Sequence, residues 1–144
     1  MGGQSITEGS RLGTIRIAAA LIDDGAGGVF LVRKRGTASF MQAGGKIDPG
    51  ETPFGALARE LTEELLFTPA EEEALFLGTF VAEAANEPGH SIEAFLFHIR
   101  ARRDFEIAAE LEEAVWVSID EAEALELAPL TRAPVLSIAR RLCE

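Results

Sequence analysis

Cysteine and tyrosine are nearly missing from this sequence. The 144 residues contain no tyrosine, and Cys143 is the only cysteine. One cysteine cannot form an intrachain disulfide, so the fold must depend on its hydrophobic core. Cys143 stands one residue from the end of the sequence, and we interpret it as incidental rather than as a nucleophile. The His and Cys residues lack the spacing of a zinc site. These features exclude small folds that are held together by disulfides or by zinc.

Basic residues are also few. The chain has 13 Lys and Arg against 24 Asp and Glu, which gives a net charge of −11. This charge argues against a nucleic acid duplex as a partner, because binding to its phosphates requires basic patches. A small phosphorylated ligand stays open if metal ions screen the repulsion.

Long apolar runs are missing as well. No run approaches the roughly 20 residues that a membrane-spanning helix needs. The apolar run at 17–22 is too short for the core of a signal peptide, and it ends at Asp23 and Asp24. We therefore expect no membrane partner and a cytoplasmic protein.

The patterns that are present predict one α/β domain. We expect a flexible N-terminal segment at 1–12, which is rich in Gly, Ser and Thr, and a single domain at 13–144. Strands are predicted at 15–22, 29–33, 77–84, 92–101 and 115–117. Helices are predicted from Pro53, from a Thr68 cap to about Leu75, from Ser118, and from Thr131 or Pro134. This order predicts a mixed sheet covered by helices on both sides.

One predicted helix concentrates the carboxylates that could do chemistry. Thr52 is a good N-cap and Pro53 suits the first helical position. An apolar stripe at spacings of three and four is formed by Phe54, Leu57, Ala58, Leu61 and Leu65. Glu60, Glu63 and Glu64 share one arc beside that stripe. Three carboxylates on one arc repel each other, whereas a hard cation such as Mg²⁺ would use their oxygens.

The spacing around this helix resembles the Nudix box of the Nudix hydrolases, most closely in their MutT-like branch. The matching residues are Gly45, Glu51, Arg59-Glu60-Leu61 and Glu63-Glu64, with five and seven residues in the two gaps. Leu66 stands where the family pattern has a glycine. The resemblance implies an α/β/α sandwich with a central mixed sheet and a loop–helix–loop catalytic motif. It also implies Mg²⁺-dependent, or Mn²⁺-dependent, hydrolysis of the diphosphate bond in a nucleoside diphosphate linked to another group.

The resemblance further implies a set of site residues. The metal ligands would be the Gly44 carbonyl, Glu60, Glu63, Glu64 and an outside carboxylate, for which Glu110 has the expected position before Trp116. Glu112 and Glu113 are near enough to be alternatives to Glu110, as is a solvated loop without a role. Glu60 is the first candidate for the general base and Glu110 the second. Arg59 would hold the geometry by pairing with Glu63 or Glu51. An acidic helix without any site is the alternative interpretation.

Basic residues near the box are candidates for binding phosphate. Arg33, Lys34 and Arg35 stand at the end of a predicted strand, where one of them could meet a phosphate, and we select Arg33 and Arg35. Lys46 follows the paired glycines. A solvated loop is the alternative for Arg33 and Arg35. The loop at 86–90 is either a hairpin tip or a rim that brings Glu87 or His90 to a phosphate. Three phenylalanines could stack on a base, although core positions fit them better: Phe40, Phe80 and Phe95.

The expected substrate is a small-molecule nucleotide, with a nucleoside triphosphate favoured. Residues 80–83 replace the proline that ADP-ribose hydrolases carry past the box, and the tyrosine of dinucleoside polyphosphate hydrolases is missing. Hydrolysis of ADP-ribose, nucleotide sugars or dinucleoside polyphosphates stays open, as do a non-catalytic nucleotide-sensing domain and a homodimer. We expect Leu66 to reroute the helix exit, with Pro69 ending the helix, rather than to change the chemistry.

Overall fold

The computed structural model describes residues 13–142, so the segment 1–12 and Cys143 lie outside the described residues. Six strands form the sheet: β1 (Gly13–Asp23), β2 (Gly28–Lys34), β3 (Ala43–Lys46), β4 (Leu75–Glu83), β5 (His90–Arg100) and β6 (Leu111–Ser118). Three α-helices accompany them: α1 (Pro53–Leu65), α2 (Ile119–Glu123) and α3 (Leu136–Leu142). The five predicted strands are confirmed. The strand β3 was not predicted, because four residues with two glycines carry little strand signal by themselves.

The sheet is mixed, with the order β4-β5-β1-β2-β6 and β3 paired to β1. β1 and β5 run parallel, and the other pairs are antiparallel. β1 pairs with β2 only at Ile22 and Asp23, whereas its middle pairs with β3 from Ile17 to Ala20. The two central strands therefore diverge, and β3 lies between them. This divergence opens the sheet beside the Gly44-Gly45 backbone.

Alternation along β1 separates two cores. Ala18, Ala20 and Ile22 pack with the apolar face of α1. Ala19 and Leu21 face the opposite side, where α2 and α3 pack. Successive strand residues point to opposite faces, so a fully apolar strand can bury both sides. The predicted sandwich, with helices on both faces of a mixed sheet, is confirmed.

The helix α1 begins as its sequence predicts. Thr52 caps it by accepting a hydrogen bond from Gly55 N at 3.0 Å, and Pro53 is its first residue. Leu57, Leu61 and Leu65 are at most 1% exposed. Burial of each such leucine contributes about 2 kcal/mol to stability. These contacts hold the carboxylate-bearing face of α1 against the sheet.

The helix exit differs from the expectation. The chain is not rerouted at the end of α1. Leu66 adopts the left-handed conformation that a glycine would take at this position, with φ 55° and ψ 35°. Its N–H donates to Thr62 O at 3.2 Å. A left-handed leucine costs on the order of 1 kcal/mol. The Leu66 side chain extends into solvent, at 58% exposed, so backbone strain is the main cost of the replacement.

Of the helices predicted after α1, the first begins elsewhere and the second begins as predicted. Thr68 does not cap a helix, and its hydroxyl instead lies 2.6 Å from the Thr62 hydroxyl. A single 3₁₀ turn, Glu71–Glu73, follows Ala70. The predicted Ser118 cap of α2 is confirmed, with Glu121 closing the capping box. Before α3 lies a kinked turn, Thr131–Val135, in which Ala133 is extended. No helix in the range 13–142 is long and apolar enough to cross a membrane.

Candidate active site

Glu64 is the most buried carboxylate of the α1 arc. The residue is 1% exposed, and its Oε1 accepts a hydrogen bond from Gly44 N at 3.2 Å. Its Oε2 has no hydrogen-bond partner. Burial raises the pKa of Glu64 to about 8, and the nearby Glu60 carboxylate adds to the rise. An ionised carboxylate in this position requires a cation, because a buried charge without a partner is costly.

Glu60 lies one turn before Glu64 and faces the other glycine of the pair. A Cβ at Gly45 would lie 2.4 Å from Glu60 Cδ, so only glycine leaves room for the carboxylate. At Gly44, φ is 144° and a Cβ would lie 2.1 Å from Ala18 O. The two glycines therefore let the β3 backbone approach both β1 and the carboxylates of α1. Burial raises the pKa of Glu60, and the Arg59 guanidinium opposes that rise.

Arg59 joins the box loop to the helix. Its Nε and Nη2 donate to the two oxygens of Glu51 at 2.7 and 2.9 Å. Its Nη1 donates to Glu60 Oε2 at 3.0 Å and lies 3.7 Å from Glu63 Oε1. Its Nη2 also donates to Lys46 O at 3.0 Å. The sequence left Glu63 and Glu51 as alternative partners, and the structure shows Arg59 with both. The same guanidinium lowers the pKa of Glu51 to about 2.

Of the three carboxylates on α1, only Glu64 has a buried oxygen that is free to bind a divalent ion in this conformation. Within residues 13–142, no three His, Cys, Asp or Glu side chains converge as a ready metal cluster. Glu60 and Glu63 are turned to Arg59, whereas Glu64 keeps an unpartnered oxygen. That buried oxygen, beside a glycine backbone that a Cβ would block, matches the hard oxygen ligands of Mg²⁺ or Mn²⁺. The donor set therefore suits such an ion at Glu64.

Glu110 lies near this group but outside it. Its side chain is 59% exposed, and its Oε2 lies 3.8 Å from Lys34 Nζ. Its backbone carbonyl accepts from Arg35 N at 2.8 Å, which fixes the start of β6 beside the end of β2. Its charge is close enough to contribute to the raised pKa of Glu64.

The structure separates the three basic residues at the end of β2. Arg33 Nη2 lies 3.1 Å from Glu113 Oε1, and Arg35 Nε lies 3.2 Å from Glu112 Oε1. Lys34, the middle residue of the three, lines an apolar cleft beside Gly44 and Gly45 and stabilises the ionised forms of Glu60 and Glu64. Strand alternation offered the signal, because Lys34 shares the α1-facing parity of Phe30 and Val32.

A mostly apolar cleft opens beside Gly44 and Gly45. Its walls include Ile15, Ile17, Ile92, Ala128 and Leu130, and its polar rim includes Lys34, Gln42, Lys46, Asn86 and Glu87. The 84–87 backbone joins β4 to β5, so this segment is both a hairpin tip and a cleft rim. Across the mouth, Lys46 Nζ lies 3.6 Å from Glu87 Oε1.

The three candidate stacking phenylalanines are not among the residues that line this cleft. Phe40 is buried in the core under α2 and α3, and Phe80 packs against the same core. Phe95 packs on the α1 side, where the Arg16 guanidinium lies 5.0 Å from its ring centre. The core interpretation of Phe40 is therefore confirmed.

The fold and the site together define a class of protein: an α/β sandwich with its carboxylates on a loop–helix motif beside an apolar cleft. The profile of the NUDIX domain family matches residues 13–137. The chain belongs to the NUDIX family and is a hydrolase that acts on pyrophosphate bonds. A comparison with curated proteins found no match.

Solved structures with the same fold cover nearly all of the chain. The E. coli ORF135 protein is 28% identical, with a TM-score of 0.70 and 93% of each chain covered. The MutT protein from Methanosarcina mazei Go1 is 24% identical, with a TM-score of 0.68, covering 90% of this chain and 92% of its own. The E. coli dihydroneopterin triphosphate pyrophosphohydrolase is 18% identical, with a TM-score of 0.71, covering 88% of this chain and 95% of its own.

Proposed function

We propose that this chain is a MutT-like, Mg²⁺-dependent pyrophosphohydrolase of nucleoside triphosphates, with Mn²⁺ as a substitute ion. The observation that carries the proposal is the buried Glu64 carboxylate, which has a free Oε2 and accepts a hydrogen bond from Gly44 N, beside an apolar cleft lined by Gly44 and Gly45. A triphosphate that enters this cleft would bring its phosphates to the carboxylates and its base to the apolar walls. The family name alone does not choose among nucleotide substrates.

The metal ligands we assign are Glu60, Glu63, Glu64 and the Gly44 carbonyl, with Glu110 as an outside carboxylate. When bound, the ion would acidify or orient a water and screen the charge that develops on the phosphates. Glu63 is 54% exposed and only loosely paired to Arg59, so it can turn toward an ion at little cost. Arg59 keeps Glu60 and the box loop in place through its contacts with Glu51 and Lys46 O.

Glu60 is the general base in this proposal. Its burial raises its pKa toward the operating pH, where a carboxylate removes a proton from water more effectively. Glu110 is the second candidate, although its exposure gives it an environment closer to that of a solvated carboxylate.

Lys34 and Lys46 are the phosphate contacts that the cleft offers. Lys34 lies on the α1 side of the cleft and Lys46 at its mouth. Arg33 and Arg35 hold Glu113 and Glu112, so we assign them to the packing of β2 against β6 rather than to substrate.

A substrate panel with Mg²⁺ and Mn²⁺ tests the proposal. Pyrophosphate release from nucleoside triphosphates is expected from the wild-type protein. In Glu63→Gln and Glu64→Gln it should fall by roughly a thousandfold, because each variant removes a charged ligand. Glu112→Gln is the matched control, since Glu112 is an exposed glutamate paired with Arg35, and it should retain turnover.

Folding of each variant is checked by circular dichroism. Full turnover in both box variants would contradict the ligand assignment. Activity on ADP-ribose or nucleotide sugars alone, with none on triphosphates, would contradict the substrate class.

A further inference from the structure

Among residues 13–142, two buried side-chain atoms have no hydrogen-bond partner: Gln42 Nε2 and Glu64 Oε2. Native structures leave few such atoms, and each one calls for an explanation. Glu64 Oε2 is accounted for by a cation. Gln42 is 6% exposed and lines the same cleft as Gly44, whose N–H donates to Glu64 Oε1 at 3.2 Å, so one backbone segment connects the surroundings of the two atoms.

The position of Gln42 follows from the pairing of β3. Gly44 pairs with Ala19, which faces α2 and α3, and Gln42 lies two residues earlier on the same face. The Thr131 hydroxyl, fully buried, donates to Gln42 Oε1 at 2.9 Å. The amide oxygen is therefore occupied by the Thr131 hydroxyl, and the NH₂ group has no partner.

The surroundings of Gln42 suit a flat, mostly apolar group. Ile17, Ile92 and Leu130 contribute to the cleft walls without any polar side-chain atom. A ligand in the cleft therefore meets apolar walls and one buried amide donor, Gln42, which is fixed by Thr131, while Asn86 and the two lysines lie on the rim. Such a pocket selects ligands by the few polar atoms that it presents.

We propose that Gln42 is a base-selecting residue, and that it favours nucleobases with a carbonyl oxygen over those with an exocyclic amino group at the same ring position. The proposal rests on the nucleotide substrate proposed above. The Gln42 NH₂ donates to the O6 or O4 oxygen of the base. An amino group in that place would oppose one donor with another and leave both unpaired. Buried unpaired donors are the costly outcome in recognition.

Matched nucleotide pairs isolate this effect. Inosine and adenosine triphosphates carry an oxygen or an amino group at position 6, and uridine and cytidine triphosphates at position 4. For the wild-type protein, kcat/KM is expected to favour the oxygen-bearing member of each pair by about tenfold, because one such hydrogen bond decides the difference.

Three variants test the role of the amide. Gln42→Leu removes the donor at similar size, and both ratios should fall to within about twofold of one. Gln42→Glu keeps the oxygen that Thr131 contacts and replaces the donor by an acceptor, so the preference should invert at a pH where the new carboxylate is ionised. Thr131→Val leaves Gln42 in place but frees its amide to rotate, and it should relax both ratios without abolishing turnover.

Thermal melting checks that each variant folds, and Thr131→Val keeps the test valid if a Gln42 variant does not. Unchanged ratios in the folded variants, or a wild-type preference for the amino-bearing member, would overturn the proposal. Calorimetric binding of inosine and adenosine monophosphates provides a readout without turnover. A binding preference without hydrolysis would support the role of Gln42 while the proposed activity fails. Hydrolysis without any base preference would support the proposed activity and contradict the role of Gln42.

Discussion

Two glutamates of the box occupy opposite electrostatic environments. Glu51 receives two hydrogen bonds from Arg59, and its pKa falls to about 2. Glu64 receives one backbone hydrogen bond in a buried place, and its pKa rises to about 8. The residue type is the same, so the difference comes from the partner and from burial. The negative charge on the Arg59 side of the site is already compensated, whereas Glu64 Oε2 has no partner among the described residues and would be compensated by the proposed ion.

The largest expected effect comes from removing Glu60, the proposed general base, which is paired with Arg59. Glu60→Gln should lower kcat by about 10²- to 10⁴-fold, because a general base of this kind contributes that much. Glu110→Gln should cost less, since Glu110 is 59% exposed and is paired with Lys34 at 3.8 Å. Steady-state rates measured against pH compare the two. A larger loss in Glu110→Gln would exchange their roles.

Glu64 should make the free energy of unfolding of the metal-free protein depend on pH. The pKa of Glu64 is raised to about 8 from an ordinary 4.5, so the folded state holds a proton that the unfolded state has released. Stability should therefore fall as the pH rises from about 4.5 to 8, by roughly 5 kcal/mol in total. Glu64→Gln imitates the neutral form and should remove this dependence.

Denaturant unfolding with a chelator at pH 5 and at pH 8.5 measures the change. Added Mg²⁺ or Mn²⁺ should restore stability at the higher pH in the wild-type protein and not in Glu64→Gln. A wild-type protein that is equally stable at both pH values would show that Glu64 is not the uncompensated charge.

Arg59→Lys tests how far the compensated side depends on the shape of the guanidinium. Lysine keeps the charge but cannot contact Glu51, Glu60 and Lys46 O together. Since residues that orient metal ligands contribute 10- to 100-fold, turnover should fall by about that factor. A raised metal requirement in a titration with Mn²⁺ would accompany the loss. Arg33→Lys, in the pair with Glu113, is the control and should leave turnover unchanged.

The smallest effect concerns the exit of α1, which neither side of the site contacts. Leu66→Gly relieves the left-handed strain and should stabilise the protein by about 1 kcal/mol, with turnover within twofold of the wild type. Ala109→Gly is a matched comparison, because Ala109 also has φ 55°. Thermal unfolding measures both variants. A large rise in turnover for Leu66→Gly would show that the exit does influence the site.

Much of this site could be predicted from the sequence because its signals are local. The Thr52 cap, Pro53 and the apolar stripe specify α1 through neighbours within one or two turns. The resemblance to the Nudix box selected the carboxylates on the arc beside that stripe. The strand β3 could not be predicted in this way, since it is a strand only through its pairing with β1.

By itself, then, the sequence determined the two-sided sandwich, the start of α1 and the family of the protein. Only the tertiary structure decided that Lys34 rather than Arg33 or Arg35 faces the cleft, and that Glu64 rather than Glu63 is buried. It also decided that the amide of Gln42 has a free donor, because its partner Thr131 is 89 positions away in the chain. Local propensities act over a few residues, whereas burial and hydrogen-bond satisfaction depend on what distant strands and helices bring into contact.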